Sequence, residues 1–196
     1  MKPTVFLLAG ALVLLASCVS GPVYYEPDRA EPWTFQSGQS LVVIAGIADH
    51  DSIRFATELT RQLAETSTFI VKSQSEVTAA FPEYPATILD DRLSLADSDI
   101  PKFQNIQMRL GTDYILVAWC PIKEMYSANN LDSRFAIGFL CQMLGFPGGR
   151  KLGWSSFYES ITPSLTGLQP QDQSNVIVAG AEKMASALVD KTDMRK

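Results

Sequence analysis

The chain has 196 residues, 46% of them hydrophobic and 19% charged, which excludes an intrinsically disordered polymer and leaves enough apolar mass for one core. Sixteen Lys and Arg against twenty-one Asp and Glu give a net charge of −5, so no nucleic-acid partner is implied. His50 is the single histidine, which leaves little for a multi-histidine metal site, and no motif calls for a cofactor.

Met1 and Lys2 give a positive start, and residues 5–15, VFLLAGALVLL, form an apolar run. At about 1.5 Å per residue the run spans roughly 16 Å, well short of a bilayer core of about 30 Å, so it reads as the apolar region of a signal peptide. Leu15-Ala16-Ser17-Cys18 follows and resembles the lipobox of bacterial lipoprotein precursors. The resemblance implies cleavage before Cys18, diacylglycerol on its thiol and acylation of the new amine. Small Ala16 and Ser17 let a protease approach the backbone, and only a thiol offers the soft nucleophile for a thioether. Several acyl chains, at about 0.8 kcal/mol per buried CH₂, make such an anchor effectively permanent. The competing reading is an ordinary secretory signal. Val19, where an aspartate favours inner-membrane retention in enterobacteria-like lipoproteins, tilts the implied address to the outer membrane, facing the periplasm.

Three segments result: a removed signal peptide over 1–17, a lipidated N-terminus and Pro-rich tether over 18–40, and one globular domain over 41–196. Pro22, Pro27 and Pro32 break regular structure in the tether. Tyr24, Tyr25, Trp33 and Phe35 are more aromatics than a solvated linker needs, so part of it either packs onto a surface or stays free. With Cys18 consumed by lipid, Cys120 and Cys141 remain, and outside the cytoplasm a disulfide between them is expected. Such a bridge would contribute about 3 kcal/mol. The alternative is two buried thiols acting as small hydrophobes.

Residues 41–47, LVVIAGI, predict a strand covered on both faces. Asp49-His50-Asp51-Ser52 then starts a helix, with Asp51 as cap, Phe55, Ala56, Leu59 and Leu63 facing inward, and Arg54, Glu58, Arg61 and Glu65 facing water. A second strand is expected from Phe69 to near Val77, and a Pro- and Asp-rich loop from Phe81 to Asp99. Asp99, Pro101, Phe103, Ile106, Leu110 and Gly111 mark a second helix with its cap, first turn, buried stripe and left-handed end. Residues 114–119 are a third strand, and residues 152–161 a fourth, suited to an antiparallel or edge position. A third helix from about Ser174 buries Ile177, Ala181, Met184 and Leu188. The order β-α-β-α-β-β-α predicts an α/β fold: a mixed sheet of about four strands with about three helices packed on it.

Residues 41–123 resemble a bacterial envelope group. The group includes the curli-secretion lipoprotein, the N-terminal domain of the Tol translocation protein and lipoprotein activators of peptidoglycan synthases. The likeness is carried by VVIAGI, the amphipathic helix, Phe69-Ile70-Val71 and Gly111-Thr112-Asp113-Tyr114 before the third strand, with Thr112 in place of the usual alanine. It implies a protein-interaction module and brings no catalytic residues.

The remaining candidates are few. Asp49-His50-Asp51 could ligate a metal or relay protons, though capping explains it as well. Asp90, Asp91, Asp97 and Asp99 could hold Ca²⁺, but their spacing fits no EF-hand and a solvated loop is the simpler reading. Ser155 and Ser156 sit in no nucleophile elbow, and Gly145, Gly148 and Gly149 form no phosphate loop. Residues 135–146, FAIGFLCQMLGF, carry one polar side chain, Gln142. They form either a buried helix or an apolar surface, made by Phe135, Ile137, Phe139, Leu140, Met143, Leu144 and Phe146, for a partner or the lipid interface. The expected function is therefore an interaction or assembly lipoprotein and not an enzyme, with envelope proteins or its own copies as partners. An oligomeric secretion or pore subunit and a small-ligand binder or hydrolase are the alternatives.

Overall fold

The computed structural model describes residues 35–36, 38–85, 92–126, 133–146, 148–161, 170–190 and 192–193. The signal peptide, Cys18, Tyr24, Tyr25 and Trp33 lie outside the described residues.

A short strand, β1 (Phe35–Gln36), precedes the central strand β2 (Ser40–Ala45). Leu41 to Ala45 have no exposed surface, as an apolar run covered on both faces requires. Helix α1 (His50–Glu65) buries Phe55, Ala56, Leu59 and Leu63, while Arg61 bonds Glu58 and Glu65 on the solvent face. Its cap is Asp49 rather than Asp51: Asp49 accepts from the backbone N–H groups of Asp51 (3.0 Å) and Ser52 (2.9 Å).

Strand β3 (Ile70–Lys72) pairs parallel with β2 and stops after three residues. The strand expected to reach Val77 is instead interrupted by helix α2 (Gln74–Ala80), on which Val77 is buried. Ser73-Gln74-Ser75-Glu76 is a capping box: Ser73 Oγ accepts from the Glu76 N–H and the Glu76 carboxylate accepts from the Ser73 N–H. Because β2 outruns β3, its leftover backbone groups need partners. Gln74 Nε2 donates to the Val43 carbonyl at 2.8 Å, and the Tyr84 hydroxyl accepts from the Ala45 N–H at 2.8 Å.

Helix α3 (Ile100–Leu110) follows a 3₁₀ turn and ends at Gly111, whose φ of +59° is the left-handed conformation the sequence predicts. Asp113 accepts from both the N–H and the hydroxyl of Ser40, locking the start of β4 (Tyr114–Trp119) to the start of β2. β4 then runs parallel to β2, Val43 opposite Leu116.

Strands β5 (Ile122–Tyr126), β6 (Ser133–Gly145) and β7 (Arg150–Ile161) are antiparallel. β5 is additional to the expected strands, and β6 replaces the expected helix over 135–146. One edge of β6 pairs with β7; the other is shared by β4 over Leu140–Gly145 and β5 over Ser133–Ile137. A strand with both edges and both faces occupied reads in sequence as a uniform apolar block, which periodicity cannot separate from a buried helix. Helix α4 (Pro170–Asp190) begins earlier than Ser174, and β8 (Thr192–Asp193) pairs parallel with β1.

The result is a six-stranded mixed sheet with helices on both faces. On one face α1 and α4 enclose Leu41, Val43, Leu59, Phe139, Met143 and Ile177; on the other α2 and α3 cover Val42, Ile44, Val77, Phe103, Ile115 and Trp119. The α/β fold stands as expected, with more strands than the sequence indicated.

Candidate functional site

Most residues singled out from the sequence are used by the fold. Ile137, Phe139, Met143 and Leu144 have no exposed surface, and Leu140 and Phe146 are partly covered by the α2/α3 core. This corrects the expectation that they present an apolar face to a partner: they are the sheet's own core. The Phe135 backbone pairs with Glu124 and Ile161, and its side chain lies outside the described residues. Gln142, the lone polar member, accepts from the Leu95 N–H at 3.2 Å while buried, pinning the chain before α3 to the sheet.

Cys120 and Cys141 are free thiols, both buried, which corrects the expected disulfide. The register sets Cys141 opposite Ala118, so Cys120 stands diagonally across the pair. Diagonal positions are separated by about 7–8 Å, beyond ordinary disulfide reach. Burial, then the charges of Asp51 and Asp49, push the Cys120 thiol well above its ordinary range; burial does the same to Cys141. Both are kept as unreactive neutral thiols.

Asp49, His50 and Asp51 belong to the start of α1. Besides the cap, Asp51 accepts from Gln173 Nε2 of α4 at 2.7 Å and lies 3.3 Å from His50 Nδ1, while Arg54 bonds Ser174. Ser52, fully buried, accepts from the Cys120 N–H. Together these contacts join α1, α4 and the end of β4. The other Asp49 oxygen, Oδ2, is buried and has no hydrogen-bond partner among the described residues. Among the described residues no group of three or more His, Cys, Asp or Glu converges as a metal site.

Of the acidic loop, Asp97 pairs with Lys151 and Asp99 is 2% exposed, so the solvated-loop reading fails for Asp99. Burial pushes the Asp99 carboxyl up, but Arg92, the Ala96 N–H and Lys102 outweigh that and hold it below the usual carboxylate range. Asp90 and Asp91 lie outside the described residues. Ser155 and Ser156 sit on β7 opposite Cys141 and Leu140, and Gly148 and Gly149 turn the chain from β6 to β7 with positive φ.

The sequence did not disclose the feature that best resembles a binding site. A cavity of about 230 Å³ lies between α2, α3 and β2, walled by Ile44, Val77, Phe81 and Ile106. Tyr84 also lines it, and burial pushes its phenol up to about 12, so it stays protonated at any physiological pH. Glu83, Lys102 and Asn105 give the cavity its polar side. Their only sequence signal was Tyr84 inside a Pro-rich loop, which says nothing of the helix it packs beside.

No helix among the described residues is long and apolar enough to cross a membrane. No protein-family model matches the chain, and no curated protein matches it. Among solved structures it is similar to the lipoprotein GNA1162 from Neisseria meningitidis, at 16% identity and TM-score 0.46 over 76% of this chain and 99% of that one. It is also similar to a PelC dodecamer from Paraburkholderia phytofirmans, at 11% identity and TM-score 0.40 over 82% and 93%. A third is the LpoB C-terminal domain from Salmonella enterica, at 14% identity and TM-score 0.39 over 64% and 84%.

Proposed function

We propose that the chain is a lipid-anchored protein of the bacterial outer membrane that faces the periplasm and serves as an interaction and assembly module of an envelope complex. The observation that carries this reading is Leu15-Ala16-Ser17-Cys18 directly after an apolar run too short to span a bilayer. Lipid on Cys18 leaves the expected Pro-rich segment over 18–40 as the tether between anchor and domain.

Membrane flotation of the full chain tests the anchor, and crosslinking on intact cells tests the partner. The wild type should float with outer-membrane vesicles and Cys18→Ser should remain soluble in the envelope fraction. Crosslinks confined to lipid, with no envelope protein and no second copy recovered, would remove the assembly role.

A further inference from the structure

The cavity beside β2 has a donor-rich polar side and an apolar wall, and nothing in the assembly reading uses it. Ile44 and Val77 are 0% and 1% exposed, and Phe81 and Ile106 are 7% exposed each, so the wall is fixed by the core itself. The Tyr84 hydroxyl accepts the Ala45 N–H, and no described residue accepts its own proton. Lys102 makes no hydrogen bond or ion pair with any described residue; its only interaction is at range, on Asp99. Asn105 adds an amide, and Glu83, exposed, is the one anionic group on the lining.

We propose that this cavity binds a small molecule with a compact apolar body and a carboxylate head. The body packs on Val77, Phe81 and Ile106, and the head accepts from the Tyr84 hydroxyl and the Lys102 ammonium. Two donors without acceptors favour an acceptor head, and Lys102 makes an ionised one the better match. The volume sets the size: about 230 Å³ is below the roughly 300–1,000 Å³ of sites for drug-sized ligands, so a body of one ring or a short chain fits. A ligand that small binds at roughly 0.1–1 mM.

The test is calorimetric titration of the full chain in nanodiscs with 3-phenylpropionate and, separately, with 3-phenylpropylamine, empty nanodiscs serving as blank. The acid should bind and the amine should not. Lys102→Gln should weaken the acid roughly tenfold, the loss of one charge-assisted hydrogen bond. Glu83→Gln should tighten it about twofold by removing a screened repulsion. Both residues are exposed, so neither variant endangers folding, whereas Tyr84→Phe also strands the Ala45 N–H and is read only alongside them. Preference for the amine, an affinity unchanged by Lys102→Gln, or no heat from either probe overturns the proposal.

Discussion

The two faces of the sheet are built from similar side chains and finished differently. On the α1/α4 side the helices approach the sheet closely: a Cβ added at Gly180 of α4 would sit 2.4 Å from the Phe139 ring. Phe139 in turn meets Phe55 of α1 edge-on, with ring centroids 5.1 Å apart. On the α2/α3 side the shorter helices leave the 230 Å³ cavity, and Met108 of α3 stands 70% exposed. Val71 packs into the α1/α4 core, so its neighbour Ile70, 61% exposed, points to the looser side as well. The α1/α4 face is filled, and the α2/α3 face, though buried at its centre, leaves a cavity.

The sharpest way to break that contrast is to empty the tight face. Phe139→Ala should cost about 3–5 kcal/mol in denaturant unfolding, because the ring is fully buried between two helices. Overfilling the same place with Gly180→Ala should cost about 1–3 kcal/mol, since the ring must move. Gln142→Leu should cost about 1–3 kcal/mol by leaving the buried Leu95 N–H unpaired. On the loose face, Val77→Leu adds carbon into existing space and should change stability by less than about 1 kcal/mol in the same assay. A large loss there would mean that the two faces are equally tight.

Acid sharpens the comparison in another way. Asp113, held low first by the Ser40 N–H and hydroxyl, ties β2 to β4, and Asp99, held low by Arg92 against its burial, ties down the loop on the α2/α3 side. A carboxyl with a depressed folded pKa contributes stability that is complete above its unfolded value, near 4, and is lost as pH falls through the folded value. Melting temperature should therefore decline below about pH 4, and Ser40→Ala should make the decline shallower because less of the shift remains to be lost.

Much of this fold was legible wherever one local rule decided the outcome. Gly111 after an apolar stripe marked the end of α3, and the apolar runs of β2 and β4 marked buried strands, because nothing competes with those signals. Val77 misleads because a hydrophobic residue shortly after Ile70 and Val71 suggests continuation; the Ser73–Glu76 capping box is the stronger signal and ends the strand. Residues 135–146 were unreadable in principle, since burial on both faces erases the periodicity that separates strand from helix. The free thiols were settled by register, a two-residue offset that spacing along the chain does not reveal. The cavity was invisible because Tyr84, Lys102 and Ile44 meet only through the packing of α3 against β2.

The claim on which the functional account turns is the chemistry at Cys18. Mass spectrometry of the N-terminal peptide from chain purified out of bacterial membranes measures it directly. The peptide should begin at Cys18 and carry diacylglycerol on the thiol and an acyl group on the amine. A peptide that retains residues 1–17, or begins elsewhere with an unmodified Cys18, would contradict it.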